Sequence, residues 1–191
     1  MQSWVSFDRL FQSNVQIMSQ SCKQFGASDN SPAEIADIKT AIQSVAQSTG
    51  VDPRFIFVIM QQESNGCVRA PTTNYGVSNP GLFQSHDGAG SCNNGGSVQN
   101  PCPQSEITQM VEDGVKGTSE GPGLQLHLAQ TGSKDVSQYY KAARMYNSGS
   151  IAASGNLNDG IATHCYSSDI ANHLLGWTTG VNVCQQKLGT V

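Results

Sequence analysis

The feature that most constrains this chain is an unbroken apolar run, Phe55-Ile56-Phe57-Val58-Ile59-Met60, which leads directly into Gln61-Gln62-Glu63-Ser64. A helix carrying this run is apolar on nearly every side, so we expect it to be buried in the centre of the fold. Glu63 in its last turn is then poorly solvated and lies near the negative end of the helix dipole. Both effects disfavour the charged carboxylate and predict a raised pKa for Glu63.

A raised carboxyl pKa has two interpretations here. A carboxyl group that keeps its proton near neutral pH is what a general acid requires. A partly buried glutamate paired with a distant arginine is the structural alternative, since ion pairs within a fold also perturb pKa values. In either case Ser64-Asn65-Gly66 ends the helix, with Gly66 free to adopt the left-handed conformation.

The length and charge of the chain limit its class and its partners. The 191 residues are enough for one domain, and we find no internal repeat or linker, so we expect a single domain over 1–191. Nucleic acid is not expected as a partner, because the ten basic residues are scattered from Arg9 to Lys187 and the net charge is −4. No apolar run approaches the length of a membrane span, so no membrane partner is expected either. Nothing in the sequence requires more than a monomer.

The cysteines indicate an oxidising compartment. Their number is even and their spacing is wide, which is typical of an exported protein with up to three disulfides. Many pairings are open from sequence, although Cys92 and Cys102 are close enough to close a small loop. No Cys-x-x-Cys pair suggests zinc. Residues 1–4 do not look like a secretory leader, so we expect one to have been removed from a secreted, extracellular protein. The six cysteines are Cys22, Cys67, Cys92, Cys102, Cys165 and Cys184.

The first half of the chain predicts a series of helices. Apolar residues at mostly helical spacing over residues 4–24 predict one or two helices, followed by a loop over 26–30. The sequence Ser31-Pro32-Ala33-Glu34 is a capping box with proline at the first helical position, and the helix that it starts should end at Gly50. Asp52-Pro53 opens the helix that carries the apolar run. The short turn between these two helices predicts that they pack as a hairpin.

Residues 66–103 differ from the rest of the chain, because they contain seven glycines and four prolines. A connection this long is uncommon in a compact domain unless it has a function. We expect an irregular segment with a short β-hairpin, forming one wall of a cleft.

Helical patterns return after Ser105. The spacing of Leu124, Leu126 and Leu128 also suits a strand, so that assignment stays open between a helix and a strand. The predicted elements are a helix with its apolar stripe over 107–115, a second helix after 121–123, a third helix from Asp135 or Ser137 to 147–149, a loop to about 160, and a last helix from Ser167 or Ser168 to Trp177.

Three short motifs occur in order along the chain: Glu63-Ser64, Gly81-Leu82-Phe83-Gln84 and Ala142-Ala143-Arg144-Met145-Tyr146-Asn147-Ser148-Gly149. Together they resemble the Glu-Ser, Gly-Leu-Met-Gln and Ala-Tyr-Asn-x-Gly motifs of lytic transglycosylases and goose-type lysozymes, glycoside hydrolase family 23 of the lysozyme-like superfamily. The resemblance covers about 51–150. It implies a mainly α, lysozyme-like α+β fold with a saccharide cleft between two lobes.

The resemblance also implies roles for the motif residues. Glu63 would protonate the oxygen of a β-1,4 glycosidic bond to an N-acetylated sugar, with Ser64 beside the substrate. Gln84 would hydrogen-bond the substrate or position its loop, and Tyr146 and Asn147 would line the opposite wall. The structural alternatives are core packing for Tyr146, with its hydroxyl bonded to backbone, and a helix cap for Asn147.

Two residues depart from the family pattern. Phe83 stands where the family usually has methionine, a change of filler that should alter shape more than chemistry. Met145 stands where the family usually has alanine, so we expect it to narrow the cleft or change which sugars fit.

Asp87 is the candidate for a second catalytic carboxylate. An inverting glycosidase needs a base roughly 6.5–9.5 Å from its acid, whereas a lytic transglycosylase uses a hydroxyl of its own substrate. Goose-type lysozymes carry a general-base aspartate just after Gly-Leu-Met-Gln, one position earlier than Asp87. The alternative is a turn residue, because Asp87-Gly88 is a common turn pair. His86 is expected to be a polar residue of the cleft.

The sequence therefore predicts a secreted muramidase that cleaves peptidoglycan between N-acetylmuramic acid and N-acetylglucosamine. A lytic transglycosylase, a chitinase-like glycosidase and a non-catalytic saccharide-binding module remain as alternatives. No metal or organic cofactor is expected, because carboxyl groups and a substrate hydroxyl suffice for this chemistry.

Overall fold

The computed structural model describes residues 1–159 and 162–178. Within these ranges the fold is mainly α, with a short 3₁₀ helix and two small antiparallel hairpins. Its elements are α1 (Phe7–Met18), the 3₁₀ helix (Ser21–Phe25), α2 (Pro32–Thr49), α3 (Pro53–Ser64), β1 (Thr73–Asn74), β2 (Ser78–Asn79), β3 (Asn93–Asn94), β4 (Ser97–Val98), α4 (Gln104–Lys116), α5 (Leu124–Gln130), α6 (Ser137–Ser148) and α7 (Tyr166–Leu174).

Helix α3 is the centre of the core, as its apolar run predicts. Every residue from Phe55 to Met60 is buried. Helices α1, α2 and α7 pack against it, while α2 also packs along α4. The expected α2–α3 hairpin is confirmed. Because α3 is enclosed on all sides, its last turn brings Glu63 into the interior.

The helix ends follow local sequence signals. The Ser31 hydroxyl accepts a hydrogen bond from the Glu34 N–H, and the Glu34 carboxylate accepts one from the Ser31 N–H at 2.7 Å, so the predicted capping box is present. Gly50 ends α2 in the left-handed conformation with φ +74°. Asp52 caps α3 by accepting a hydrogen bond from the Arg54 N–H.

The glycine-rich segment forms two hairpins rather than the one expected. Strand β1 pairs with β2, and β3 pairs with β4. The Cys92–Cys102 disulfide links the second hairpin to the residues before α4, which confirms that suggested pairing. The Cys22–Cys67 disulfide ties the 3₁₀ helix to the segment after α3. Cys184 lies outside the described residues.

A buried ion pair also anchors this segment. The Arg69 guanidinium donates to both carboxylate oxygens of Glu34, at 2.5 and 3.0 Å, and both side chains are almost fully buried. Burial raises the pKa of Glu34, but hydrogen bonds from Arg69 and from the backbone of Ser31 and Cys102 outweigh it and lower that pKa to about 2. The loop following α3 and the N-terminus of α2 are thus held together, an interaction that the sequence analysis did not predict.

The later helices agree with their predictions except at the C-terminal end. Leu124–Gln130 is a helix, and Leu126 is exposed while Leu124 is buried, which explains the misleading alternation of leucines. The prediction that the last helix reaches Trp177 is wrong. Helix α7 starts at Tyr166 and ends at Leu174, because Gly176 takes a left-handed conformation that stops it. No helix in the described part of the chain is both long and apolar enough to cross a bilayer.

Candidate active site

Glu63 lies at the C-terminal end of α3, where the side chain is only partly exposed. Burial raises the pKa of its carboxyl group to about 7, although a hydrogen bond from Tyr166 acts in the opposite direction. The predicted rise in pKa is therefore confirmed. Among the described residues no lysine or arginine forms an ion pair with Glu63, in contrast to the structural alternative considered above. The carboxyl group can hold a proton near neutral pH.

Tyr166 holds the Glu63 carboxyl group in place. It is the first residue of α7, and its hydroxyl donates to Glu63 Oε1 at 2.5 Å. Burial and the negative charge of Glu63 raise the pKa of the Tyr166 hydroxyl well above its ordinary value, so Tyr166 remains a donor. Glu63 is therefore held in one orientation, and its other carboxyl oxygen has no hydrogen-bond partner among the described residues.

Ser64 joins the first motif to the second. Its side chain is buried, and its hydroxyl donates to the Leu82 carbonyl at 2.8 Å. The end of α3 and the Gly81–Gln84 turn are thereby fixed to one another. The structure gives Ser64 a positioning contact, and its proposed contact with substrate stays a prediction.

Tyr146 joins the third motif to the second. Its hydroxyl donates to the Phe83 carbonyl at 2.8 Å, which is the backbone contact that the structural alternative described. Burial raises the Tyr146 pKa, and the charge of nearby Glu63 raises it further. Phe83 in turn packs so closely on Gly114 that a side chain there would meet its ring. The three motifs therefore meet around Glu63.

A polar cavity of about 250 Å³ opens beside this junction. Four of the candidate residues line it: Gln84, His86, Tyr146 and Asn147. The Gln84 amide is fixed by donating to the Pro71 and Gly81 carbonyls and accepting from the Thr73 hydroxyl. Met145, one of the two departures from the family pattern, also lines the cavity, and its expected narrowing of the cleft stays a prediction.

Asn147 is held by an arginine that sequence reasoning missed. The buried Arg144 guanidinium donates to the Asn147 side-chain oxygen and to the carbonyls of Leu157 and Thr163. Asn147 is a residue of α6 itself, and Gly149 provides the left-handed end of that helix. Asn147 therefore does not cap α6, which was the structural alternative, and its side chain forms part of the cavity wall.

Asp87 lies in an exposed turn beside His86. It is exposed, has a φ of +47° and donates its N–H to the Ser78 carbonyl at 2.7 Å, which is the geometry of a turn residue. His86 Nε2 is 3.8 Å from an Asp87 carboxylate oxygen, and both side chains are close to half exposed. His86 lines the cavity, whereas neither Asp87 nor Glu63 is among the cavity-lining residues. A role for Asp87 as a catalytic base stays a prediction.

Two residues with titratable side chains line the cavity and were not predicted. Asp113 on α4 and His127 on α5 are both buried and both line it. The sequence around Asp113 shows only the ordinary spacing of an amphipathic helix, so no local signal distinguishes Asp113 from an exposed helix residue. Among the described residues no group of three His, Cys, Asp or Glu side chains is placed to hold a metal ion.

Comparison with known proteins adds no assignment. No protein-family model matches the chain, and no curated protein or solved structure is significantly similar to it. The functional conclusion therefore depends on the motifs and on the geometry around Glu63.

Proposed function

We propose that this protein is an exported glycosidase with a lysozyme-like fold that cleaves the β-1,4 bond between N-acetylmuramic acid and N-acetylglucosamine in peptidoglycan. The observation that carries the proposal is the Glu63 carboxyl group, whose pKa of about 7 suits a general acid. The order of the three motifs supports the substrate class. The Cys22–Cys67 and Cys92–Cys102 disulfides support export.

In this mechanism Glu63 donates its proton to the oxygen of the scissile bond. Tyr166 already occupies Oε1, so the proton is delivered from the other carboxyl oxygen. As the bond breaks, the carboxylate that forms is stabilised by the Tyr166 hydroxyl, which donates a stronger hydrogen bond to a charged acceptor. Gln84 and Asn147, whose amides are held by protein contacts, would orient the sugar in the neighbouring cavity.

A lytic transglycosylase is the second candidate, and one observation favours it. Asp87, the expected base, is exposed in a turn and has a left-handed backbone conformation. A transglycosylase needs no second carboxylate. As the glycosidic bond breaks, the C6 hydroxyl of the muramic sugar bonds to C1 of the same sugar, its proton passes to the Glu63 carboxylate, and an anhydro product forms. Hydrolysis instead uses a water molecule activated by a carboxylate.

Mass spectrometry of the soluble products from purified peptidoglycan tests both candidates. Intact protein, Glu63→Gln and Asp87→Asn would be compared under the same conditions. We expect products from the intact protein and none from Glu63→Gln. Products with a reducing end that disappear in Asp87→Asn support hydrolysis with Asp87 as base, and anhydro products retained in that variant support transglycosylation. Undiminished cleavage by Glu63→Gln refutes the mechanism. If the protein cleaves chitin oligomers and not peptidoglycan, the proposed substrate is wrong and chitin takes its place.

A further inference from the structure

The cavity lined by Gln84 and Tyr146 contains a buried carboxyl group, that of Asp113, which no cation among the described residues neutralises. Asp113 is 6% exposed, and its carboxylate accepts hydrogen bonds from the Gly90 N–H at 2.8 Å and from the Gln109 amide at 2.7 Å. Both donors are uncharged. Among the described residues no lysine, arginine or histidine lies within ion-pair distance of Asp113, and no lysine or arginine lines the cavity. A buried carboxylate without a counter-ion is unfavourable, so a carboxylate at a cavity wall favours the binding of a cationic ligand.

Two other buried polar atoms belong to side chains of the same wall. His127 Nδ1 forms no hydrogen bond with the described residues, although His127 is only 3% exposed. The Ser85 hydroxyl, on a side chain that is 5% exposed, can reach the Tyr146 hydroxyl but has no other partner among the described residues. Ser85 lies beside Tyr146, whose own hydroxyl hydrogen goes to the Phe83 carbonyl. Buried polar groups are nearly always hydrogen-bonded in folded proteins, so this wall has unused capacity to bind a polar group.

The charges of the cavity wall determine whether the bound polar group should be a cation or an anion. Burial lowers the pKa of His127, so its imidazole is neutral near pH 7, although its contact with the Gln130 side chain opposes that effect. Among the buried, described residues that line the cavity, Asp113 then carries the only carboxyl group. A neutral imidazole, a hydroxyl and a carboxylate can all accept hydrogen bonds.

We propose that this cavity binds a primary ammonium group carried by the glycan substrate, with Asp113 as its counter-ion and with Ser85 and His127 as further acceptors. A primary ammonium group has three hydrogen-bond donors and no acceptor, which suits a wall of this composition. A divalent metal ion suits it less well, because the described residues contain no cluster of ligands for one.

Two parts of a peptidoglycan strand present such an ammonium group. One is the 2-amino group of a glucosamine residue that has lost its N-acetyl group, and the other is the side-chain amine of a diamino acid in the attached peptide. The inference rests on the proposed function only in taking a glycan strand as the carrier. The cavity volume of about 250 Å³ suits a single sugar ring or a side-chain amine rather than a longer segment of the strand.

Isothermal titration calorimetry on the full-length Glu63→Gln protein tests the inference without turnover. The first arm compares a glucosamine tetramer with an N-acetylglucosamine tetramer. The second arm compares a stem peptide that has a free side-chain amine with the same peptide acetylated at that amine. Acetylation removes the charge of the amine and with it the charge-assisted hydrogen bonds to the cavity. We therefore expect the ligand with the free amine to bind about tenfold or more tightly than the acetylated ligand in one arm. The arm that discriminates identifies the source of the ammonium group.

Further variants made in the Glu63→Gln protein assign the effect to Asp113. Asp113→Asn should abolish the preference for the free amine. Glu112→Gln removes one negative charge from the adjacent, partly exposed position of α4 and should leave the preference unchanged. Thermal unfolding shows whether Asp113→Asn is folded, and if it is not, Ser85→Ala should reduce the preference instead.

Equal affinity for the free and acetylated ligands in both arms overturns the inference, and so does a preference that survives Asp113→Asn or, where that variant is unfolded, Ser85→Ala. The Asp113 carboxylate is then only a structural acceptor for the Gly90 N–H. Failure of the proposed function gives a separate result, because it appears only as missing peptidoglycan products from the intact protein.

Discussion

Replacing Glu63 by glutamine should stabilise the protein at neutral and alkaline pH. The carboxyl pKa rises from an ordinary value of 4.5 to about 7 in the folded state. The folded protein therefore binds the Glu63 proton more tightly than the unfolded chain does. Between these two pH values the unfolded state has already lost the proton that the folded state retains, so the free energy of unfolding falls as pH rises.

The size of the effect follows from the two pKa values. At about 1.4 kcal/mol per pH unit, a rise from 4.5 to about 7 corresponds to about 3 kcal/mol of stability lost between pH 4.5 and pH 7. Partial exposure of Glu63 makes this an upper value. Glutamine is uncharged at every pH and can still accept the hydrogen bond from Tyr166, so the variant avoids the loss.

Urea unfolding of the intact protein and of Glu63→Gln at several pH values between 4 and 8 measures the effect. We expect the difference in unfolding free energy between the two proteins to be small at pH 4 and to grow to between about 1 and 3 kcal/mol in favour of the variant at pH 8. Glu112→Gln is the matched control. Its side chain is about one-third exposed and pairs with Lys116 one turn away, so its effect should be within about 0.5 kcal/mol and should not favour the variant.

A difference that stays constant from pH 4 to pH 8 contradicts the reasoning, because a group without a raised pKa contributes no pH dependence in that window. A variant that becomes less stable than the intact protein as pH rises contradicts it more directly, since the sign is then that of a carboxylate stabilised by the fold.

Two other variants test the environment of the buried carboxyl groups. Tyr166→Phe removes a donor to charged Glu63, so carbon-13 NMR should show the Glu63 pKa rising by up to about one unit, and a fall would contradict the assigned role of Tyr166. Arg69→Met leaves Glu34 buried without its partner and should cost about 3–5 kcal/mol in urea unfolding at pH 7. The Glu34 pKa of about 2 makes this cost shrink as pH falls from 4.5 towards 2, and an equal cost at pH 2 and pH 7 would show that the loss is one of packing alone.

Local patterns predicted the helical framework well. The capping box at Ser31 and the apolar run of α3 are signals written within a few residues of sequence, and each element formed where its signal placed it. The raised pKa of Glu63 also follows from local sequence, because the run that buries the helix adjoins the carboxylate. The overlong prediction for α7 failed for a local reason too, since Gly176 was overlooked as a helix stop.

The contacts that complete the site are long-range, and sequence patterns do not contain them. Tyr166 lies 103 positions after Glu63, and only the packing of α7 on α3 brings the two side chains together. Arg69 and Glu34 are 35 positions apart in the same way. Asp113 has the local pattern of an ordinary helix residue, and its burial depends on a loop that passes over α4. Such residues are found only once the chain has been folded.

The contrast between Glu34 and Glu63 is the strongest reason to assign chemistry to the second. Both are carboxyl groups on helices of the same core, yet the pKa of Glu34 is lowered to about 2 and that of Glu63 is raised to about 7. Glu34 has an arginine and three backbone or side-chain donors, so its charge stabilises the fold. Glu63 has one tyrosine donor, so its charge destabilises the fold near neutral pH. A carboxyl group that lowers stability near neutral pH is better explained by the general-acid role proposed for Glu63 than by a structural role. Enzymes that use two carboxyl groups likewise raise the pKa of the acid and leave the other group charged.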